Sequence, residues 1–559
     1  MSEFYQEAPR LANRYDADGF LRSYLRWRLP DDIRAEIEPG LHRLGERAAT
    51  EIAALGDAAE AQPPRHVPYD PWGRRVDDIV VSDAWRALDR ISAEEGIVAA
   101  AYERRHGALS RVHQMALLYL FHAPSATYSC PLAMGDGAAR FLEVHGAGDR
   151  YARELLEHLT TRDPARFWTS GQWMTERTGG SDVSLTSTIA RWDDAERTHR
   201  LWGTKWFTSA TTSQLALALA RIEGADGKLA PGGRGLSVFA IELRDSSGAL
   251  RSIRVNRLKD KLGTRALPTA ELTLDGTPAV LVGGESDGVR KIATLFNVTR
   301  VYNAVAAVSG MRHILSLAQS YATVRSAFGK RLLEHPLHFE TLVELETRVR
   351  ASFMLAFAAV ELMGKDECGE ATGDEKARLR LLTPIAKAYA CKQAVAVASE
   401  AIEAFGGAGY IEDTGLPRLL RDAQVLPIWE GTTNVLALDV WRAIERTGAF
   451  EPWLDDVRRR LGAVASDELR SAVGRAREAT DRIARYVADA RGTARREAGA
   501  RRLAFAIARV TAAVGLIEYA AWWRTQNVRD TEAAQAIQFA ERWTARDLTS
   551  GLDLNGESR

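Results

Sequence analysis

The spacing of hydrophobic and polar residues changes twice along this chain. From Asp32 to Leu55 and from Ala84 to Ala101, apolar residues recur every three or four positions with charged residues between them. This period predicts amphipathic helices, and similar texture continues to about Ala165. The proline-rich stretch AQPPRHVPYDPWGRR separates the two patterns, and its four prolines remove backbone donors, so we expect a loop there.

After Phe167 the chain changes to short runs, in which apolar and polar residues alternate or residues that favour β-strands predominate. Turns rich in Gly, Pro and Asp, such as GADGKLAPGGRG, separate these runs. The runs are Leu201 to Thr208, Leu215 to Ile222, Leu236 to Leu243 and Ala270 to Leu274. Together they predict a compact all-β domain from about Ser170 to Gly284.

From Arg290 the helical period returns, in three stretches of about twenty residues or more. They are Arg300 to Arg325, Pro336 to Gly364 and Ala377 to Phe405, joined by short polar links. This arrangement predicts a helical bundle. After Phe450 the chain is again helical and rich in Ala and Arg. Its apolar stretch from Leu503 to Trp523 is interrupted by Arg509 and Glu518, which favours a buried helix over a membrane span.

The predicted fold class is therefore α+β, with four domains in the order helical, β, helical bundle and helical extension. We place them at residues 1–168, 169–288, 289–448 and 449–559. This order differs from the alternating strands and helices of a dinucleotide-binding Rossmann domain, so any cofactor must be bound in another way.

Composition adds exclusions rather than chemistry. The 559 residues include 74 Lys and Arg, 74 Asp and Glu, and 3 Cys, which argues against a disordered or strongly nucleic-acid-binding chain. The scattered cysteines fit neither a disulfide framework nor a zinc site, and His335 and His338 lack further ligands, so no metal is expected. The N-terminus has no apolar signal or anchor, and we expect a cytoplasmic protein without a membrane partner.

Five segments are candidates for chemistry. Gln172 to Val183 contains two consecutive glycines before Ser181, which suits either an anion-binding backbone or a simple β turn. In Thr204 to Ser209, strand alternation would place Trp206 and Thr208 on one face and Lys205 and Phe207 on the other. The face that carries Trp206 and Thr208 suits either a planar ring ligand or a cross-strand core pair.

The remaining segments lie in the bundle region. Arg325 to Gly329 follows a long helix, where Gly329 could end the helix and Arg325 could meet a phosphate. Glu403 to Tyr410 is a helix that runs into three glycines. In Pro427 to Asn434, Glu430 stands between Trp429 and Gly431 in apolar surroundings. This setting would raise the pKa of a general base, although a helix-capping carboxylate is an equal alternative.

In combination and in order, these segments resemble the acyl-CoA dehydrogenase family of flavoproteins from about Ile79 to Ile444. The resemblance implies an N-terminal helical domain, a middle β-barrel and a C-terminal four-helix bundle, with FAD between the barrel and a neighbouring subunit's bundle. The segment PYDPWGRRVDDI, the run Arg257 to Arg265, and the helical extension are most similar to the AidB-type, alkylation-response branch.

The resemblance also implies site residues. Glu430 matches the catalytic base, because Thr299 stands where some members carry their glutamate on the helix after the barrel. The acyl-CoA would meet Ser181, Asn297 and Arg300. FAD would be contacted by Gln172, Met174, Thr175, Gly180, Ser181, Trp206, Phe207, Thr208, Arg325, Phe328, Gly406, Gly407, Trp429, Thr432 and Asn434.

By this resemblance, Glu430 would remove an α-proton from an acyl thioester while the β-hydrogen leaves as hydride to the flavin. An electron-transferring flavoprotein would reoxidise FAD, and the protein would be a dimer or a tetramer. The AidB-type branch implies an alternative, a DNA-associated flavoprotein with weak dehydrogenase activity. Residues 451–559 have an excess of only three positive charges, which predicts weak duplex binding. A third reading has reduced flavin react with oxygen, and Glu430 counts against it.

Overall fold

The computed structural model describes residues 6–526 and 530–552. The chain divides into two compact units. The first, here called the bundle unit, comprises Met1–Ala49, Arg104–Leu120 and Asn303–Arg559. The second, the barrel unit, comprises Thr50–Glu103 and Phe121–Tyr302.

The region before the barrel is largely helical, as the spacing of apolar residues predicts. Its helices are α1 (Arg14–Ala17), α2 (Gly19–Arg28), α3 (Asp31–Ala49), α4 (Glu51–Ala61), α5 (Asp83–Glu94), α6 (Ala99–Tyr102), α7 (Ser110–Phe121), α8 (Ser129–His145) and α9 (Arg150–Leu159). Capping side chains start several of them: the Ser82 hydroxyl accepts from the Trp85 amide at the start of α5. The single helix predicted from Asp32 to Leu55 is interrupted at Thr50, whose φ of −121° and ψ of −86° are not helical.

The loop prediction for the proline-rich stretch was wrong. Strands β1 (Arg65–Tyr69) and β2 (Arg75–Val80) pair antiparallel across it. A two-stranded hairpin has outer edges that need no partner, so Pro68 is tolerated there, and the pairing shifts register between Val67 and Tyr69 around it. Asp77 fixes the hairpin to the barrel unit, because its carboxylate accepts from the Val255 amide at 3.1 Å.

The β domain closes into a barrel. Its strands are β3 (Ser170–Trp173), β4 (Ile189–Asp193), β5 (Thr198–Ser209), β6 (Leu215–Ile222), β7 (Leu236–Glu242), β8 (Ile253–Leu258) and β9 (Thr269–Val282). Neighbours follow the order β6, β4, β5, β9 and β7, and β7 pairs with β6 again, which completes the ring. Strand β6 is buried over nearly its whole length, as the uninterrupted apolar run LALALA predicts.

The bundle is built from long helices, as predicted. It contains α10 (Gly288–Val324), strands β10 (Ser326–Ala327) and β11 (Lys330–Arg331), and helices α11 (Pro336–Glu367), α12 (Gly373–Glu403), α13 (Leu416–Ala423) and α14 (Thr433–Thr447). Thr372 and Glu375 form a capping box that fixes the start of α12. Helix α12 packs against both α11 and α14.

The extension consists of α15 (Phe450–Ala463), α16 (Arg470–Ala490), α17 (Arg495–Ala498), α18 (Ala500–Thr525) and α19 (Asp530–Thr544). Helix α18 is long and apolar enough to cross a membrane by length and composition, but 83% of its most apolar window is buried inside the protein. It packs against α11, α12 and α14. The prediction of a buried helix is confirmed.

Candidate active site

The first predicted segment leaves the barrel at the end of β3 and turns back at Gly179. Backbone hydrogen bonds join Glu176 and Gly179 in both directions at 3.2 Å. Gly180 and Ser181 are exposed beyond this turn, whereas the Met174 side chain is buried in the core of the barrel unit. The exposed backbone and hydroxyl, rather than the Met174 side chain, are therefore available to a ligand.

A buried ion pair, not anticipated from the sequence, holds this segment against β5. The Lys205 Nζ lies 2.8 Å from Glu176 Oε1 and 2.9 Å from the Leu219 carbonyl oxygen, and both side chains are almost fully buried. Burial alone would raise the pKa of Glu176, but the Lys205 ammonium and hydroxyl donors of Thr188 and Ser187 lower it to about 2. The pair fixes the spacing of two predicted cofactor segments.

Strict alternation along β5 was a wrong prediction for Thr204 to Ser209. The pairing of β5 with β9 shifts register between Lys205 and Thr208, so a bulge separates the two residues. As a result Lys205 is buried while Phe207, predicted to share its face, is 56% exposed. Thr208 is fully buried, and its hydroxyl donates to the Ala270 carbonyl at 2.7 Å.

Two cations cover the ring of Trp206. The Lys259 Nζ lies 3.7 Å from the ring centroid, and the Arg177 guanidinium carbon lies 5.2 Å from it. Lys259 is itself held by Glu271 at 2.5 Å. The Trp206 amide also donates to the Thr175 carbonyl at 2.9 Å, which joins the two segments directly. Trp206 is thus fixed in position beside a local positive charge.

The residues predicted to meet the substrate lie on the first part of α10 within the barrel unit. Asn297 is exposed and Arg300 is half-buried. Thr299 is buried, and its hydroxyl donates to the Phe296 carbonyl within the same helix. Because Thr299 has no carboxylate, its position on α10 does not supply a general base.

In the bundle unit, Glu430 occupies a left-handed turn immediately before α14. Its φ is +56°, followed by +106° at Gly431, and its side chain is half-buried. Such a conformation is costly for a residue with a side chain and persists only where the surroundings impose it. Helix α14 then begins at Thr433, with Thr432 as its N-cap and Asn434 exposed in the first turn.

Two buried contacts impose that turn. The Lys387 side chain, fully buried on α12, donates to the Gly431 carbonyl at 2.7 Å. The Trp429 indole donates to the Asn303 side-chain oxygen, and Asn303 is buried on α10. Sequence reasoning missed both partners, because each is distant in the chain and no local motif marks it.

Arg325 and Phe328 lie on the small hairpin formed by β10 and β11. Phe328 and Gly329 form its two-residue turn, both with positive φ, and Phe328 is 97% exposed. Gly329 is thus a turn residue, and the prediction that it ends the preceding helix was wrong, since α10 stops at Val324. Among the described residues, the half-buried Arg325 side chain has no hydrogen bond or ion pair.

No other part of the described structure packs against the backbone of Gly406 and Gly407, the glycine pair after α12, where a Cβ would point. Gly406 has a φ of +61°, which favours glycine, and a Cβ added to Gly406 or Gly407 would meet no atom within 4 Å. The fold itself therefore leaves space beside this backbone, as expected where another molecule approaches it.

The predicted site residues fall into two groups, one in each unit. The barrel unit brings together the segments at Thr175 and Trp206, and the bundle unit joins Trp429 and Glu430 to α10 and α12. Within the described residues no group of three or more His, Cys, Asp or Glu side chains suits a metal ion. His335 instead donates its ring N–H to the Ala327 carbonyl.

Four family models match successive parts of the chain. They are the adaptive response protein AidB N-terminal domain at residues 7–163, the acyl-CoA dehydrogenase middle domain at 171–277, the acyl-CoA dehydrogenase C-terminal domain at 286–445, and the acyl-CoA dehydrogenase 11 C-terminal domain-like model at 448–556. These matches follow the order of the helical region, barrel, bundle and extension.

Complete relatives show the same relationship. Acyl-CoA dehydrogenase family member 11 of Caenorhabditis elegans is 42% identical over 95% of this chain and 88% of its own length. The putative acyl-CoA dehydrogenase AidB of Escherichia coli is 32% identical over 73% and 74%. The crystal structure of C. elegans ACDH-11 in complex with C11-CoA superposes with a TM-score of 0.95 at 41% identity, covering 99% of this chain and 94% of that one. The chain belongs to the acyl-CoA dehydrogenase family and has its fold, with an AidB-type N-terminal domain and an additional helical extension.

Proposed function

We propose that this protein is an FAD-dependent dehydrogenase that introduces a 2,3-double bond into an acyl-CoA thioester. The observation that supports it best is Glu430, a half-buried carboxylate in a constrained left-handed turn, which the sequence resemblance assigns to the position of the family's base. ACDH-11, which is 41% identical over nearly the whole chain, has been crystallised with C11-CoA, which supports an acyl-CoA as the ligand.

FAD is the cofactor, and the residues present suit it. Arg325 offers a guanidinium with no partner among the described residues, which matches a pyrophosphate, and Gly406 and Gly407 leave open space for it. Thr432 and Asn434 lie at the start of α14, where backbone N–H groups and the helix dipole favour an anionic or polar group. When bound at these residues, FAD would supply the acceptor for the hydride that leaves the β-carbon.

The chain's own contribution is the proton transfer. The Glu430 carboxylate takes the α-proton, the Cα–H electron pair becomes the new double bond, and the β-hydrogen departs with its electron pair. Lys387 and Asn303 act through the backbone and through Trp429 to hold the Glu430 segment in its turn. Buried contacts of this kind reduce the movement needed to reach the reactive geometry.

The proposal includes two protein partners and a cellular location. An electron-transferring flavoprotein would accept the electrons, and a second copy of the chain would receive the Arg325 hairpin, since Phe328 projects from it almost fully exposed. We place the protein in the cytoplasm, in keeping with its three free cysteines, two of them buried.

DNA binding, the predicted alternative, finds little support in the extension. Most arginines described there form ion pairs with acidic side chains, which leaves few positive charges for phosphates. The paired arginines include Arg458, Arg459, Arg460, Arg470, Arg475, Arg482, Arg491, Arg496, Arg524, Arg542 and Arg546. Any affinity should be weak and should disappear at physiological salt.

The test is an anaerobic titration of the FAD-loaded protein with acyl-CoAs of graded chain length, followed by product analysis. We expect at least one acyl-CoA to bleach the flavin absorbance and yield stoichiometric 2-enoyl-CoA. A gel-shift assay with duplex DNA at two salt concentrations tests the alternative. Failure of every acyl-CoA to bleach the flavin, together with retardation of DNA at high salt, would replace this proposal with the DNA-associated function.

A further inference from the structure

A cavity of about 520 Å³ lies within the bundle unit, and neither Glu430 nor any predicted cofactor residue lines it. Helices α1, α2, α7, α10, α11, α18 and α19 contribute to its lining. Much of its wall is apolar, with Phe20, Leu120, Leu342, Trp523 and Phe539 among the lining residues. Its volume is within the range of about 300–1,000 Å³ that is usual for small-molecule sites.

One side of the cavity holds a buried ionic cluster whose members neutralise each other. Glu346 accepts from Arg312 at 2.6 and 2.9 Å and from Arg350 at 2.6 Å. Asp18 lies 3.4 Å from Arg312 and also accepts the Tyr119 hydroxyl at 2.6 Å. Two carboxylates therefore balance the guanidinium groups of Arg312 and Arg350.

The third guanidinium is Arg14, which also lines the cavity and is only 8% exposed. Among the described residues, its one hydrogen bond is a long one, 3.4 Å, to the Leu120 carbonyl, and no carboxylate oxygen lies within 4 Å. Burial lowers the pKa of Arg14 to about 10. An arginine with unused donors in an apolar wall is costly unless an anion compensates it.

The other charged groups of the lining do not supply that anion. Glu532, half-buried on α19, also lines the cavity, but its carboxylate oxygens lie more than 4 Å from the Arg14 guanidinium, and Arg542 is paired with Glu340 outside the cavity. The cavity thus combines a guanidinium that has no ion-pair partner within 4 Å among the described residues with a largely apolar part of the wall. A ligand that matches both has a single carboxylate and an aliphatic chain.

We propose that this cavity binds an aliphatic monocarboxylate, with its carboxylate on Arg14 and its chain along the apolar wall. Arginine binds carboxylates through two parallel hydrogen bonds, which Arg14 has free donors to form. The site is separate from the proposed dehydrogenase site, and binding there requires no turnover, so the two proposals stand or fall independently.

The experiment is calorimetric titration of the FAD-loaded, full-length protein with hexanoate, octanoate and decanoate, with decanol, acetate and phosphate as comparisons. We expect the Kd to fall about fourfold per added methylene, since each buried methylene contributes about 0.8 kcal/mol. Decanol should bind at least about tenfold more weakly than decanoate, because it cannot accept from a guanidinium in the same way.

Arg14→Met removes the charge and keeps the apolar stem, and we expect it to weaken decanoate binding about 10- to 100-fold. The matched control is Arg22→Met, an exposed arginine on α2 that does not line the cavity. Decanoate should raise the Tm of the wild type and of the control but not that of Arg14→Met. Arg14→Lys, which keeps the charge without the planar fork, should give an intermediate Kd and serves if Arg14→Met fails to fold.

Three results would overturn the proposal. The first is a decanoate Kd within twofold of wild type in Arg14→Met, and the second is equal binding of decanol and decanoate. The third is equal binding of acetate or phosphate, which would mean an adventitious ion only.

Discussion

The two groups of predicted cofactor residues differ in how the chain holds them. In the barrel unit, the segments at Thr175 and Trp206 are fixed by interior contacts, above all the buried pair of Glu176 and Lys205. In the bundle unit, Arg325 and Phe328 project from a two-strand hairpin without such contacts. Contacts in the barrel interior therefore hold the first group in place. The second group contributes few contacts that would stabilise the fold.

This difference separates stability from function. A substitution in the barrel group should lower the stability of the domain, so that its effect on cofactor binding cannot be measured separately. A change at Arg325 or at Gly407 should leave the stability unchanged and alter only what binds there.

Lys205→Met should lower the free energy of unfolding by about 3–5 kcal/mol, because it leaves the Glu176 carboxylate buried without its cation. Thermal or urea unfolding of the apoprotein measures this loss. Lys228→Met is the matched control, since Lys228 forms an exposed pair with Asp226 and should change stability by less than about 0.5 kcal/mol. The double variant Glu176→Gln/Lys205→Met should recover part of the loss, and equal losses in Lys205→Met and the control would refute the barrel half of the comparison.

Acid should weaken the barrel through the same pair. The pKa of Glu176 is lowered in the folded state to about 2, so its contribution is complete above the unfolded pKa of about 4.3 and is lost as the pH falls towards 2. The contribution is about 3 kcal/mol. Between pH 6 and pH 2 the free energy of unfolding should fall more steeply for the wild type than for the Glu176→Gln/Lys205→Met variant. Parallel curves for the two proteins would show that the ion pair is not the cause of the acid sensitivity.

Arg325→Ala should leave apoprotein stability within about 0.5 kcal/mol of wild type but weaken FAD binding by about 1.5–3 kcal/mol, the usual contribution of a hydrogen bond to a charged group. Fluorescence titration of apoprotein with FAD gives the Kd. Arg331→Ala, on the same hairpin but paired with Glu334, should bind FAD normally. Unchanged FAD affinity in Arg325→Ala would remove the hairpin from the cofactor site.

The glycine pair gives the smallest effect. Gly406→Ala should cost about 1–2 kcal/mol in stability because of its positive φ, whereas Gly407→Ala should be neutral, since its added Cβ meets no atom. If FAD lies against this backbone, both variants should lower the FAD affinity. Thermal unfolding combined with FAD titration separates the two effects, and normal FAD affinity in both variants would place the cofactor elsewhere.

The spacing of apolar residues in the sequence was sufficient to predict the order and type of the main helices and strands. Strand β6 was predicted at its observed limits, and α11 and α12 within a few residues, because long uniform patterns leave one structural solution. The short exceptions depended on pairing with distant strands. The hairpin through Pro68 and the bulge after Lys205 are set by register, which local spacing does not encode.

The site was predictable only in part. Glu430 and its neighbours follow from a resemblance carried by contiguous motifs. The residues that hold them do not, since Asn303 and Lys387 lie 126 and 44 positions from their partners. Lys259 is a partial exception, because it belongs to the run from Arg257 to Arg265 that carries part of the resemblance, whereas its position over Trp206 is visible only in the folded barrel.

Stopped-flow measurement of flavin reduction by an acyl-CoA tests most directly whether Glu430 removes the α-proton. Glu430→Gln should retain FAD and slow reduction by about 10²–10⁴-fold, the usual contribution of a general base. Glu445→Gln, on the exposed face of α14 and paired with Arg496, should reduce at the wild-type rate. Reduction of Glu430→Gln within twofold of wild type would contradict the account.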